Sequence, residues 1–151
     1  VLASGPDSTR GTVEPLFEAI GSRTIWVGEA GAGSRLKLAA NAWVFAVVEG
    51  VAESLTLTRE LGLDPALFLE AVRGGALDAP YVQLKGSAML ADDVAPAFGL
   101  ANALKDAELI VAAAEGAGVD LALMPGIRAH FARAVDDGHG ELDMSATYRS
   151  H

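Results

Sequence analysis

The chain contains no cysteine. This excludes disulfides, zinc–thiolate centres and thiol nucleophiles, and it suits a reducing cytoplasm. Positive charge is scarce: eleven Lys and Arg stand against twenty Asp and Glu, a net charge of −9. Phosphate backbones and anionic lipid surfaces attract basic chains, so neither nucleic acid nor a membrane is an expected partner. Long hydrophobic runs are also missing. The densest, AWVFAVV at 42–48, is far shorter than the roughly 20 residues that cross a bilayer. The opening VLASGPDSTRG lacks the charged and apolar regions of a signal peptide. It also lacks an initiator Met, so the chain reads as an excised fragment that begins in the tail of a strand. No serine stands in a GxSxG setting, which leaves no pointer to a hydrolase. Finally, His130, His139 and His151 have no metal-ligand spacing, and no metal is expected.

What is present falls into two textures. With 151 residues the chain can bury a core, and one domain is the default. Residues 1–3 read as the end of a strand. Ser8, Thr9 and VEPLFEAI (13–20) suggest a helix that Gly21 stops, and RTIWVG (23–28) is a short β-branched and aromatic run. This is one βαβ-like unit, too little for a sheet of its own. From Ser34 onward the pattern is helical. A long helix is expected over 34–61, with Gly62 at C′ and Asp64-Pro65 starting the next. Further helices are expected over 65–73, 80–91, 97–116 and 123–137, and Asp143 is a candidate N-cap for a last short turn.

Winding the long helix at about 100° per residue gathers Arg35, Glu49, Glu53, Thr56 and Glu60 on one arc, an ordinary solvated face. Lys37 and Asn41 fall elsewhere, in line with Val44, Val48 and Ala52. Four residues apart, they can act on one object. Two readings stay open. Lys37 can snorkel to water from near the helix start while Asn41 satisfies a loop. Alternatively, a lysine among apolar neighbours loses some preference for its charged form and becomes a usable acid/base. The glycines before it make a poor dinucleotide fingerprint, because Leu36 stands where GxGxxG needs its third glycine. A tight turn into the helix accounts for Gly31 and Gly33.

A second constellation lies in FGLANALKDAELIVAAAEGAG (98–118). Leu100, Ala103, Leu104, Ala107, Ile110 and Val111 form its apolar face, and Phe98, Asn102, Lys105, Asp106 and Leu109 the opposite arc. A solvated arc seldom carries both Phe and Leu, so partial cover by another element is expected. Lys105 and Asp106 taken alone read as surface charges.

Together these motifs resemble the C-terminal part of the β-hydroxyacid dehydrogenase family. Gly31, Gly33, Lys37 and Asn41 meet a G-x-G-x-x-x-K-x-x-x-N pattern. Phe98, Lys105 and Asp106 meet a later F…KD pattern, and Gly140, Asp143, Ser145 and Ala146 meet a closing G-x-x-D-x-S-A. The resemblance implies a mainly α fold like the C-terminal domain of 6-phosphogluconate dehydrogenase. Residues 31–151 would be that helical domain, preceded at 1–30 by a short βαβ remnant of a Rossmann domain. It further implies hydride transfer between NAD or NADP and a small 3-hydroxy acid or its semialdehyde. By resemblance, Lys37 is the catalytic acid/base and Asn41 orients the substrate. Phe98, Lys105 and Asp106 serve the cofactor side.

This sequence departs from the family where many members carry two consecutive asparagines and it has Ala40-Asn41. The glycine-rich cofactor motif and the Ser-Gly-Gly substrate motif do not occur in these residues, so activity is expected of a longer parent and not of this fragment. Two other readings are an imine reductase-like enzyme, in which the lysine is usually replaced, and a non-catalytic helical dimerisation domain. ANAWVFAVV (40–48) is apolar nearly all round and needs cover on most sides, which predicts a homodimer through the helical domain.

Overall fold

Short β-branched runs with glycine and proline stops between them build the first of two units. The computed structural model describes residues 1–151, which divide into Val1–Asn41 and Ala42–His151. In the first unit β1 (Leu2–Ala3) and β2 (Ile25–Trp26) pair in parallel, Leu2 opposite Ile25 and Ala3 opposite Trp26. Flanking bonds from Ile25 N–H to the Val1 carbonyl and from Gly5 N–H to the Gly28 carbonyl, both 2.8 Å, extend the pairing. The crossover is α1 (Asp7–Ile20), which starts before the 13–20 stretch marked by its apolar residues. Pro6 stands at the N-cap, and the acidic Asp7 in the first turn favours the earlier start, since a helix N-terminus stabilises negative charge.

The turn into α2 (Ala32–Glu60) uses its glycines structurally. Gly31 has φ +85°, and a Cβ on Gly33 would sit 3.0 Å from the Leu2 carbonyl oxygen. Gly33→Ala is therefore expected to lower thermal stability by about 1–3 kcal/mol through overpacking against backbone. Gly50→Ala, where an added Cβ meets nothing within 4 Å, should raise it by about 0.8–1 kcal/mol through helix propensity. Melting curves of the two variants should shift in opposite directions.

The second unit is helical throughout: the rest of α2, then α3 (Ala66–Val72), α4 (Pro80–Ala91), α5 (Leu100–Gly116) and α6 (Met124–Ala134). A π-type turn (Val135–His139) and a 3₁₀ turn (Met144–Ser150) follow. The stop after α2 forms as its residues dictate. Gly62 takes φ +79°, Leu63 N–H bonds the Thr58 carbonyl at 3.1 Å, and the Asp64 carboxylate accepts from Ala66 N–H at 2.9 Å. Proline at the start of α4 and Asp143 before the 3₁₀ turn play their expected parts, the latter accepting from Ser145 N–H.

The core holds Phe45, Val48, Val51, Ala52 and Leu55 of α2, Leu100, Ala103 and Ala107 of α5, and Ile127, Phe131 and Ala134 of α6. Phe45 meets Phe131 edge-on at 5.4 Å and lies nearly parallel to Phe98 at 6.2 Å. By length and composition α2 could pass for a membrane span, with a stretch of mean hydropathy 1.3. A core helix has the same composition, and here Phe45, Val48, Val51, Ala52 and Leu55 are buried while Leu36, Trp43 and Leu57 are exposed.

The solvated arc expected on α2 is corrected at Thr56, which is only half-exposed with a buried hydroxyl, and most of all at Glu49. Glu49 is buried, only 4% exposed. The helical wheel fixed its direction correctly, but a distant segment covers that direction.

Candidate functional site

In the first unit α2 carries Lys37 and Asn41 one turn apart, with Cβ atoms about 5–6 Å from each other by helix geometry. Asn41 is half-buried, whereas Lys37 is exposed within this chain. The apolar surroundings expected around Lys37 are thus not supplied by these residues. Close packing accounts for the second of the preceding glycines: a Cβ on Gly33 would meet the Leu2 carbonyl and Ser4 Oγ.

The second unit holds Phe98, Lys105 and Asp106. Lys105 Nζ lies 2.9 Å from Asp106 Oδ1, and the two differ sharply in setting, with side chains 61% and 5% exposed. Reading both as surface charges holds for Lys105 and fails for Asp106, which the fold buries. Phe98 is half-buried just before α5 and stacks on Phe45, the partial cover that its arc called for.

The placement of Phe98 is over-determined. Its backbone N–H and that of Ala97 both donate to Asp143 Oδ2 at 3.2 Å, while its carbonyl accepts from Met144 N–H at 2.9 Å. Leu100 and Ala101 at the start of α5 donate to the carbonyls of Leu142 and Gly140. The G-x-x-D-x-S-A stretch therefore clamps the segment that carries Phe98.

Asp143 is in turn held by Lys85, whose Nζ lies 2.6 Å from Oδ1 and over the Tyr81 ring at 5.6 Å. Both members of this pair are buried. Burial alone would raise the Asp143 carboxyl. Hydrogen bonds from Lys85 and from the N–H groups of Ser145 and Phe98 outweigh it and hold the pKa below the ordinary carboxylate value. Sequence reasoning did not single out Lys85. The available signal was a lysine inside the apolar helix 80–91.

A third cluster joins residues that lie far apart in the sequence. His130 Nδ1 and His151 Nε2 lie 2.6 and 2.7 Å from the same oxygen, Glu49 Oε1. Thr147 Oγ1 donates to the other carboxylate oxygen at 3.1 Å. Spacing along the chain could not reveal this group, because its members are separated by 81 and 21 residues.

Comparison with known proteins finds a matching family over most of the chain. The sequence profile of a family described as "NAD-binding of NADP-dependent 3-hydroxyisobutyrate dehydrogenase" matches residues 31–151. Glyoxylate/succinic semialdehyde reductase 1 of Arabidopsis thaliana is 29% identical over 97% of this chain and 50% of its own length. The 2-hydroxy-3-oxopropionate reductase of Escherichia coli is 27% identical over the same shares, 97% and 50%. Among solved structures, a 3-hydroxyisobutyrate dehydrogenase from Mycobacterium tuberculosis superposes with TM-score 0.86 at 25% identity, covering 97% of this chain and 53% of that one. One from Salmonella typhimurium shares the fold at TM-score 0.90 and 21% identity, covering 98% and 52%. The chain spans about half the length of the curated relatives it matches.

Proposed function

This chain belongs to the 3-hydroxyisobutyrate dehydrogenase family, and we propose that it is the helical half of an NAD(P)-dependent reductase of small semialdehydes. The observation that carries this reading is the Lys37/Asn41 pair, one turn apart on a single helix within the family-matched region. Lys37 Nζ is the acid/base, taking the proton from the substrate hydroxyl in oxidation and returning it in reduction. Its ammonium also hydrogen-bonds the developing oxyanion. Asn41 orients a substrate oxygen.

Phe98, Lys105 and Asp106 are the residues proposed for the nicotinamide. An aromatic ring on a clamped backbone suits a planar ring, and the lysine–carboxylate pair on the helix that follows suits a charge-bearing one. The donor set thus fits the nicotinamide end, whose ring supplies the hydride chemistry when bound.

The test is a protein that joins this chain to its dinucleotide-binding half. Purified, it should consume NADPH or NADH with glyoxylate, succinic semialdehyde or 2-hydroxy-3-oxopropionate, while the 151-residue chain alone should not. Absence of turnover on the whole panel, with cofactor binding intact, would overturn the reading.

Homodimer formation through the helical unit belongs to the same proposal. Trp43 is 71% exposed on the otherwise core-forming α2. Apolar cavities flank it, lined on one side by Val44, Val47 and Val82 and on the other by Ala46, Leu123 and Met124. A stable pairing here should bury at least about 1,600 Å². Light scattering at micromolar concentration should return twice the monomer mass, and Trp43→Glu should return the monomer.

A further inference from the structure

We propose that Glu49, His130 and His151 form a binding site for a divalent transition-metal ion of the zinc class. The three donor atoms are Glu49 Oε1, His130 Nδ1 and His151 Nε2. Each imidazole nitrogen is within 2.7 Å of the oxygen, and the two nitrogens are 3.2 Å apart. They come from α2, from α6 and from the residue after the 3₁₀ turn, so three separately packed segments fix them. Side-chain exposure is 6% for Glu49, 31% for His130 and 6% for His151.

Two imidazole nitrogens aimed at one carboxylate oxygen can each donate a proton to it. A single ion can replace those two protons while keeping all three groups satisfied. Tetrahedral ligands about 2.0–2.1 Å from zinc lie about 3.3 Å from one another. Accommodating the ion therefore needs shifts of only some tenths of an ångström. Thr147 Oγ1 occupies Glu49 Oε2, which leaves Oε1 as the coordinating atom, an orienting contact of the kind that surrounds metal ligands.

Two of the three ligand residues border open space that can hold a further ligand. Glu49 and His130 line a cavity of about 350 Å³ together with Glu53, Gly50 and Gly126. At both glycines an added Cβ would meet nothing within 4 Å. Three protein ligands with a fourth position open to a water-sized space is the arrangement of exchangeable zinc sites. Glu53, one helical turn from Glu49, adds negative charge to the mouth. Two imidazoles and one carboxylate select zinc, cobalt or nickel over magnesium or calcium, which prefer all-oxygen sites.

Calorimetric titration of the metal-free chain with Zn²⁺ tests the site. One ion per chain with micromolar or tighter affinity is expected, and Co²⁺ should give the intense visible bands of a tetrahedral centre. His130→Gln and His151→Gln should each weaken binding by more than the about 10–100-fold that loss of an orienting partner costs, and Thr147→Val should fall within that range. His139→Gln should change nothing. Circular dichroism establishes that each variant is folded. If a ligand variant fails to fold, the wild-type Co²⁺ spectrum decides by itself. Lack of stoichiometric Zn²⁺ uptake, an octahedral Co²⁺ spectrum, or undiminished affinity in folded His130→Gln would each overturn the proposal.

Discussion

Replacing Lys37 by Met in a protein that carries both halves is expected to lower kcat by about 10²–10⁴-fold, the range that a positioned acid/base supplies. KM for the nicotinamide cofactor should change little, because the proposed cofactor contacts belong to other residues. Methionine keeps the unbranched stem and removes only the proton-carrying group. The more discriminating variant is Lys37→Arg. Arginine preserves the positive charge and can still donate hydrogen bonds, but it does not release its proton at accessible pH. If Lys37 acts through proton transfer, the Arg variant should be as poor as the Met variant. If it acts only as a fixed charge, the Arg variant should stay within about tenfold of wild type, and the acid/base assignment would be lost. Steady-state kinetics across pH make the comparison direct.

The second large effect is on stability. Asp143→Asn should cost about 3–5 kcal/mol, the usual penalty for removing one partner of a buried ion pair. Such a loss is a large part of the about 5–15 kcal/mol that holds a domain folded. The penalty arises because Lys85 remains buried without a counter-charge, although the Asn oxygen can still accept from Ala97 and Phe98. Removing both charges in Lys85→Met/Asp143→Asn should therefore cost less than the two single changes summed.

The pH dependence has a definite sign. The Asp143 carboxyl titrates lower in the folded chain than in the unfolded one. Its stabilisation is complete above the unfolded carboxylate value, about 3.9, and disappears as pH falls through the lower folded value. Urea midpoints of wild type and Asp143→Asn should differ fully at neutral pH and converge below about pH 4. A gap that is constant with pH would mean that the carboxylate charge is not what stabilises the clamp.

These two positions show how far the sequence could be read. Local rules placed α4 at 80–91, the Gly62 stop and the Asp143 cap, because each depends on residues within a few positions of one another. The one-turn spacing of Lys37 and Asn41 on a helix was legible for the same reason. Glu49 was misread, since a helical wheel gives a direction but cannot say that His130 and His151 will fill it. Asp106 was burial without a local signature. Lys85 stayed invisible because its partner lies 58 residues later. In each case the deciding contact joins segments that only tertiary packing brings together.

That last separation matters while the chain is being made. At about 5–20 residues per second of synthesis, the ribosome needs about 3–12 s to add the stretch between Lys85 and Asp143. During that interval α4 carries a cation for which the finished core has a place but the nascent chain has no counter-charge. The clamp on Phe98 cannot set until the same carboxylate emerges. The Lys85–Asp143 bond therefore makes completion of this unit a late event, and a nascent chain arrested before residue 143 should remain open to proteases that the finished chain resists.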